Sequence, residues 1–432
     1  MEQRRSRTAA RRGLAFAAGV SALALVLSGC SSAAEPSGET ETLTVMFWGD
    51  ERAPADWKAL GEAFQAAGNE NVEFEFIHQP EEYDTKLQTL IAANNAPDVF
   101  LMYSAGMGRF IEAGTLLDLA PVYEELGVDV ASEYREQAIW QEGESVWGIA
   151  PTIHLMTMFY DKAAFDAAGV EYPPTDPAEA WSWDDFVDAA SELSDPATED
   201  DGWGAMVLTD PLVTGPLLAS NGGYWFNSDA TEFTLNEPEV LEVYDAIKEL
   251  ADTGVSIPPQ NLSSIGLDIV LQSRQAALYP GGTWNLPAIQ EAWGSDAGMA
   301  LLPSFGDPKS MAITDQFVAS KSTENPELAA EFIRFATDAA NNPRAFDGVP
   351  ASSSAEVSAS DESPSGYDET INSSLLITMD DPSRLVRKLG DIWGIVQWTD
   401  SGVNGYFNGL LADLEEALDG FKPQVDGILR GE

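Results

Sequence analysis

The 432-residue chain is poor in the residues that most often carry chemistry, with one cysteine, Cys30, and two histidines, His78 and His154. The histidines lie too far apart in sequence for a paired-histidine helix motif or a zinc cluster. The sequence also lacks a G-x-S-x-G nucleophile elbow and a glycine-rich phosphate loop with its lysine. We therefore expect no metal and no cofactor. A glycoside hydrolase that uses a pair of carboxylates remains an alternative, since a chain with 71 acidic residues always contains such pairs.

Basic residues are also few. The chain has 22 lysines and arginines against 71 aspartates and glutamates, which gives a formal net charge of −49. This balance excludes binding to nucleic acid, where cations that neutralise phosphates carry the affinity, and it excludes a basic membrane-binding surface. Anionic ligands are repelled, so a neutral or cationic solute is favoured.

The apolar run near the N-terminus is too short to span a bilayer comfortably. Five arginines lie between Arg4 and Arg12, and Leu14–Leu27 then carries no charge. A spanning helix needs ~20 apolar residues, whereas a basic segment, a short apolar core and small residues before a cut are typical of a secretory signal. We predict a signal peptide over residues 1–29, and a membrane helix that stays attached is the alternative.

The single cysteine ends this segment. Leu27-Ser28-Gly29-Cys30 resembles the bacterial lipobox, which implies that Cys30 becomes the acylated first residue of the mature protein. Two acyl chains are enough for stable anchoring. We therefore expect export and a lipid anchor on the outer face of the cytoplasmic membrane. Residues 30–42 are small, polar and acidic, so they are predicted to form a flexible tether.

The remaining residues have the composition of a globular protein, with 44% hydrophobic residues and 12 tryptophans. About 390 residues exceed what one hydrophobic core usually supports, so two domains are expected.

Strand and helix patterns alternate along the chain. An apolar strand at residues 43–50 precedes helical spacing at Trp57, Leu60 and Phe64, and "NVEFEFIHQ" then alternates as a half-buried strand does. Strands alternating with helices predict a mostly parallel sheet covered by helices, an α/β fold.

Three further helices are predicted, two of them with distinct end signals. Ser182 with Asp185 three positions on predicts a helix start, and Gly254 is placed as a C-cap of the helix through Tyr244. A last amphipathic helix is predicted from Asn404 through Leu414.

Four tryptophans lie beside turn residues: Trp48, Trp225, Trp284 and Trp398. Loops carry function more often than cores do, and an indole face packs well on the CH face of a sugar ring. These side chains are therefore candidates for a ligand cleft, with packing in a core or domain interface as the alternative. His154 is interpreted either as structural or as a hydrogen-bond donor in the cleft.

Several segments together resemble the extracellular solute-binding proteins of ABC importers, in the large sugar-binding family related to maltose-binding protein. In chain order they are "LTVMFWGD", "YDTKLQTLIAANNAPDVFLM", "MTMFYDKAAFDAAGV", "WSWDDFVDAASEL", "GWGAM", "SNGGYWFN", "LQSRQAALYPGGTW" and "ENPELAAEFIRFAT". Departures occur at Asn94 and Arg274, and at Asp315-Gln316, where the family often has glycines.

The resemblance implies a two-lobed periplasmic-binding-protein-like fold (type II), with the lobes joined by a multi-crossover hinge. Lobe 1 is expected over residues 43–152 with 311–350, and lobe 2 over 153–310 with 351–432. A monomer of this kind captures a mono- or oligosaccharide by lobe closure, delivers it to a membrane permease and is not an enzyme.

The matched positions imply ligand-binding roles for Trp48, Asp50, Tyr103, Trp225, Trp284, Gln316 and Trp398. Asp50 would accept protons from sugar hydroxyls, or would instead be the N-cap of the following helix. The aromatic side chains would stack on the sugar or cap it. Two other functions remain open: a secreted carbohydrate-active hydrolase, and a binding protein for a cationic solute such as a polyamine.

Overall fold

The computed structural model describes residues 40–49, 51–194, 202–206, 209–258, 267–342, 349–353, 379–380, 396 and 401–430. The predicted signal peptide and the proposed lipid attachment site Cys30 lie outside these residues. Asp50 and Trp398 lie outside them as well.

Fourteen strands are present in the described residues. In chain order they are β1 Glu41–Phe47, β2 Val72–His78, β3 Val99–Tyr103, β4 Ile139–Glu142, β5 Ser145–Ile149, β6 Thr152–Asp161, β7 Trp203–Met206, β8 Ser256–Ile257, β9 Ala276–Gly282, β10 Ala297–Ala300, β11 Ser310–Ile313, β12 Asp315–Ala319, β13 Val349–Pro350 and β14 Met379–Asp380.

The helices in the described residues are numbered in the same way. They are α1 Ala53–Ala66, α2 Tyr83–Ala92, α3 Met107–Glu112, α4 Leu119–Leu126, α5 Val130–Glu133, α6 Lys162–Ala168, α7 Trp183–Leu193, α8 Pro211–Ser220, α9 Pro238–Thr253, α10 Leu267–Gln272, α11 Leu286–Trp293, α12 Pro326–Thr337, α13 Val403–Phe407 and α14 Leu414–Arg430. Short 3₁₀ turns at Ser104–Gly106 and Thr283–Asn285 follow β3 and β9.

The strands form two sheets. The first has the order β2-β1-β3-β12-β5-β4, with β1, β2 and β3 parallel and β12 antiparallel to β3. The second has the order β14-β11-β6-β9-β7-β8, and β10 and β13 also pair with the long strand β6. The predicted α/β class is confirmed. The expectation of a mostly parallel sheet is wrong, because the strands on either side of the crossings, β5, β6, β11 and β12, form antiparallel pairs in both sheets.

Both sheets are covered on both faces. Along β6, Ile153, Leu155 and Phe159 belong to one cluster of buried apolar side chains, whereas Met156 and Met158 belong to the other. Successive strand side chains point to opposite faces, so a strand that is apolar at nearly every position needs cover on each side. The edge strand β2 instead alternates, with Val72 buried and Glu73 exposed, as its sequence predicted.

The local helix signals are confirmed in two places. Helix α7 begins with a capping box, in which the Ser182 Oγ accepts from the Asp185 N–H and the Asp185 carboxylate accepts from the Ser182 N–H. Helix α9 ends at Gly254, which has a φ of 79°.

The predicted C-terminal helix is wrong in its extent. The chain forms two helices, α13 and α14, with a break between them that contains Gly409 at a φ of 70°. Leu410 falls in this break and is 62% exposed. Its apolar side chain fits the helical spacing, but no neighbouring element covers it. Among the described residues, no helix combines the length and apolar character needed to cross a membrane.

The chain passes between the two sheets through very short segments. Only Ala150 and Pro151 separate β5 of the first sheet from β6 of the second, and only Thr314 separates β11 from β12. These crossings are neighbours, because β11 pairs with β6 at Ile313 and His154. The short links hold the ends of both sheets together at one place, and the candidate site lies there.

Candidate ligand-binding cavity

A cavity of about 140 Å³ lies where the chain crosses between the sheets. Its lining residues come from both sheets, from helix α1 and from the crossing segment at Pro151: Trp48, Gly49, Asp56, Trp57, Leu60, Leu101, Pro151, Thr152, His154, Asp315, Phe317 and Asn342. Two larger grooves, of about 680 and 490 Å³, contain none of the predicted site residues. Of these three spaces among the described residues, the crossing cavity joins predicted site residues from both sheets.

One wall of the cavity is aromatic and belongs to the first sheet. Trp48 follows β1, is half-buried, and lies edge-on to Tyr83 with ring centroids 4.8 Å apart. Tyr103, at the end of β3, lies 6.4 Å from the same indole. The structure therefore brings two predicted residues, Trp48 and Tyr103, together.

Hydrogen bonds hold both tyrosines in place. The Tyr83 hydroxyl lies within hydrogen-bond distance of two backbone carbonyls, those of Met46 at 3.1 Å and Leu101 at 2.9 Å. The Tyr103 hydroxyl donates to the Asp84 carboxylate at 2.7 Å, and Arg109 pairs with the same carboxylate. Burial raises the pKa of Tyr103 to about 12, so its hydroxyl stays a donor at neutral pH. Tyr83 was missed as a positioning residue because its spacing only indicated a helix face.

The opposite wall belongs to the second sheet. His154 lies near the start of β6, and its Nδ1 is 3.2 Å from the Thr283 Oγ1, which also accepts from the Leu155 N–H at 3.2 Å. Burial lowers the pKa of His154 to about 4, so the ring is neutral at physiological pH. When the Thr283 hydroxyl donates to Nδ1 while it accepts from the Leu155 N–H, the imidazole proton lies on Nε2.

Trp284 follows Thr283 and is 38% exposed, although it is a large apolar side chain. Its ring lies edge-on to His154, with centroids 5.8 Å apart. The glycine pair before it makes this position possible, because a Cβ at Gly282 would lie 2.0 Å from Cζ3 of the indole.

The two polar residues at the start of β12 have different positions from those expected. Gln316 is 1% exposed, and its Nε2 donates to the Thr314 Oγ1 at 2.8 Å, so it packs beneath the link and does not line the cavity. Its neighbour Asp315 lines the cavity in its place. Alternation along a strand sends the two side chains to opposite faces. Burial raises the pKa of Asp315 to about 7.

Trp225 is also placed away from the cavity. It is 2% exposed and packs against Gly215, where a Cβ would lie 2.3 Å from the indole Cη2. The ring also lies beside the buried Tyr244 hydroxyl of α9. The glycine pair at residues 222–223 predicted an exposed turn, but helices α8 and α9 cover this ring.

The remaining predicted residues, Asp50 and Trp398, lie outside the described part of the chain. Within the described residues, no group of three or more His, Cys, Asp or Glu side chains is arranged to hold a metal ion. The arrangement offers aromatic faces, one neutral imidazole and carboxylates around a small cavity, which suits non-covalent binding of a polar solute.

Two α/β sheets joined by short crossing segments, with a cavity at the crossing, define a two-lobed binding-protein fold. The chain belongs to the bacterial extracellular solute-binding proteins, whose family model matches residues 48–343.

Curated relatives are similar over part of their length. The maltodextrin-binding protein MdxE of Bacillus subtilis is 26% identical over 288 residues, which cover 62% of this chain and 64% of that protein. The diacetylchitobiose binding protein DasA of Streptomyces coelicolor is 26% identical over 175 residues, 38% of this chain and 40% of that protein. The chain thus spans less than two thirds of the length of either relative.

Solved structures share the fold over nearly the whole chain. The ABC substrate-binding protein Lmo0181 of Listeria monocytogenes, in complex with cycloalternan, has a TM-score of 0.78 at 22% identity and covers 91% of this chain and 100% of its own. The MalE domain of Bdellovibrio bacteriovorus, bound to maltotriose, has a TM-score of 0.72 at 16% identity, with 90% and 100% covered. These similarities support the two-lobed architecture.

Proposed function

We propose that the protein binds a mono- or oligosaccharide in the crossing cavity and delivers it to the membrane permease of an ABC importer. The observation that carries the proposal is the meeting of Trp48 and His154, from different sheets, in one cavity with Trp284 beside them. Relatives whose names record maltodextrin and diacetylchitobiose binding support the same ligand class.

The proposed mechanism is capture by closure. A sugar ring packs its CH face on an indole of one lobe, and the other lobe then closes over it about the short links at Ala150–Pro151 and Thr314. Closure buries the sugar hydroxyls, and each hydroxyl left without a partner would cost about 1–3 kcal/mol. The Nε2–H of His154 and the carboxylate of Asp315 are available as a donor and an acceptor. Stereochemistry that matches these groups is therefore selected.

The rest of the proposal concerns cellular context. A signal peptide over residues 1–29 and acylation of Cys30 would export the protein as a monomer and anchor it to the outer face of the cytoplasmic membrane. The permease would recognise the closed form and supply the energy of transport, so binding requires no catalytic step in this chain.

A thermal-shift and calorimetry screen tests the ligand class. The panel contains neutral mono- and oligosaccharides, amine-bearing saccharides and polyamines. A saccharide at 100 times its dissociation constant is expected to raise the free energy of unfolding by about 2.7 kcal/mol. Mass spectrometry of the recovered sugar is expected to show it unchanged. Stabilisation by polyamines alone, or a cleaved sugar, would contradict the proposal.

A further inference from the structure

The described residues that line the crossing cavity carry acidic groups and no positively charged ones. Its described lining residues include two carboxylates, Asp56 and Asp315, and neither a lysine nor an arginine. The one imidazole in the lining, His154, is neutral because burial lowers its pKa to about 4. The protein therefore supplies no positive charge among these residues to balance Asp315.

Asp315 lines the cavity at the start of a strand. It is the first residue of β12, follows the one-residue link Thr314, and pairs in register with Tyr103 of β3. Its neighbours on the other packed elements are Tyr83 of α2, which stays protonated because burial raises its pKa, and Asp56 of α1. The guanidinium of Arg109 pairs with Asp84 and does not contribute to the pKa of Asp315.

Asp315 is half-buried, and burial alone raises the pKa of its carboxyl group to about 7, with no contribution from a hydrogen bond or a charged partner among the described residues. At pH 7 the group is therefore divided between its neutral and its charged form, because the charged form loses contact with water and gains no partner. Lobe closure would remove still more water from this group. A neutral sugar can offer it hydroxyl donors, but only a ligand with its own positive charge can balance it.

We propose that Asp315 is a specificity-determining residue that pairs with a protonated amine of the ligand, so the cavity prefers an amine-bearing saccharide to the neutral sugar of the same skeleton. This inference rests on the proposed function, because it places the sugar in the same cavity. The strongly negative net charge acts in the same direction, since it concentrates cationic solutes near the protein.

The test compares sugars that differ only at the nitrogen. Calorimetry at pH 7 measures the affinity of the wild type for glucosamine against glucose, and for the glucosamine disaccharide chitobiose against cellobiose and N,N′-diacetylchitobiose. We expect the amine to be preferred by at least tenfold in at least one pair. In Asp315→Asn the preference is expected to vanish. Asp188→Asn removes one negative charge from the exposed face of α7 and is expected to preserve the preference.

Three results separate the possibilities. An equal or stronger affinity for the neutral sugars, or an unchanged preference in a folded D315N protein, would overturn the role of Asp315 and leave saccharide binding intact. Binding of spermidine with no affinity for any saccharide would overturn the proposed function itself, and this inference with it. Circular dichroism spectra that match the wild type establish that both variants are folded.

Discussion

The indole of Trp284 meets the imidazole of His154 at an interplanar angle of 88°, with ring centroids 5.8 Å apart. The two residues are 130 positions apart in sequence, and Thr283, hydrogen-bonded to both His154 and the Leu155 N–H, brings them together. Trp284 is 38% exposed whereas His154 is half-buried, so removal of the indole is expected to affect ligand binding more than folding.

Substitution of Trp284 by alanine is therefore expected to weaken ligand binding and to leave stability nearly unchanged. An indole face that becomes covered by a sugar contributes about 1–2 kcal/mol, which corresponds to roughly tenfold in affinity. Calorimetry gives the affinity and urea unfolding gives the stability. Leu410→Ala, which removes another exposed apolar side chain, is the control and is expected to affect neither. Equal affinity of W284A and wild type would show that Trp284 does not contact the ligand.

Trp225 is expected to behave in the opposite way. Replacement of this buried indole by alanine is expected to lower the free energy of unfolding by about 3–5 kcal/mol, because it leaves a cavity against Gly215. The affinity of the folded fraction should not change. Trp225→Phe, a smaller truncation, provides a folded variant for the same comparison. A large loss of affinity in this variant at constant stability would show that Trp225 contacts the ligand.

Ser104 is expected to control the freedom of the hinge. This buried serine hydrogen-bonds to the Thr314 carbonyl, and its Oγ accepts from the Thr314 N–H at 3.3 Å. Ser104→Ala is expected to lower the free energy of unfolding by about 1–2 kcal/mol and to broaden the inter-lobe distances, measured by pulsed EPR between spin labels on the two lobes.

A matched variant separates hinge freedom from general destabilisation. Ser220 is likewise buried, donates to the Leu217 carbonyl at 2.7 Å and accepts from the Phe305 N–H at 3.0 Å, but it contacts neither link. Ser220→Ala should lose similar stability and keep the wild-type distance distribution. Identical distributions for both variants would show that Ser104 has no role in the hinge.

The pH dependence of the free energy of unfolding is expected to show the raised pKa of Asp315. Burial raises its pKa in the folded protein to about 7 from the usual 3.8, so the folded state holds the proton more tightly than the unfolded chain does. The free energy of unfolding therefore falls as pH rises from about 4 to about 7. His154 has the opposite effect, since its lowered pKa makes stability fall as pH drops below about 6.5.

Comparison with D315N cancels the histidine contribution, which both proteins share. Each pKa unit corresponds to about 1.4 kcal/mol, so the stability of D315N relative to wild type should increase by up to about 4 kcal/mol between pH 4 and pH 8. Urea titrations at the two pH values measure this difference. A difference that does not change with pH would mean that Asp315 ionises normally in the folded protein.

Local signals in the sequence were sufficient for much of the fold. The Ser182–Asp185 capping box, the C-cap at Gly254 and the alternation along β2 depend on residues within a few positions of each other. Short-range backbone geometry decides them, and the structure confirms all three. The C-terminal helix was wrong in its extent because apolar spacing alone does not show where packing against a neighbour stops.

The candidate site was predictable only in part. Trp48 and His154 line the cavity, but Asp315 takes the position expected for Gln316. The pattern indicated polar residues near the link. It did not say which of two adjacent side chains faces the cavity, because that depends on how β12 lies between β3 and β5.

By itself, the sequence determined the α/β class, the ends of several helices, the acidic character and the residue types available for binding a polar solute. The tertiary structure alone decided which of those residues meet. Trp225 and Trp284 both follow glycine-rich turns, yet helices cover the first ring and leave the second exposed beside His154. Exposure is a property of the surrounding packing, which joins segments more than a hundred residues apart, and no local pattern encodes it.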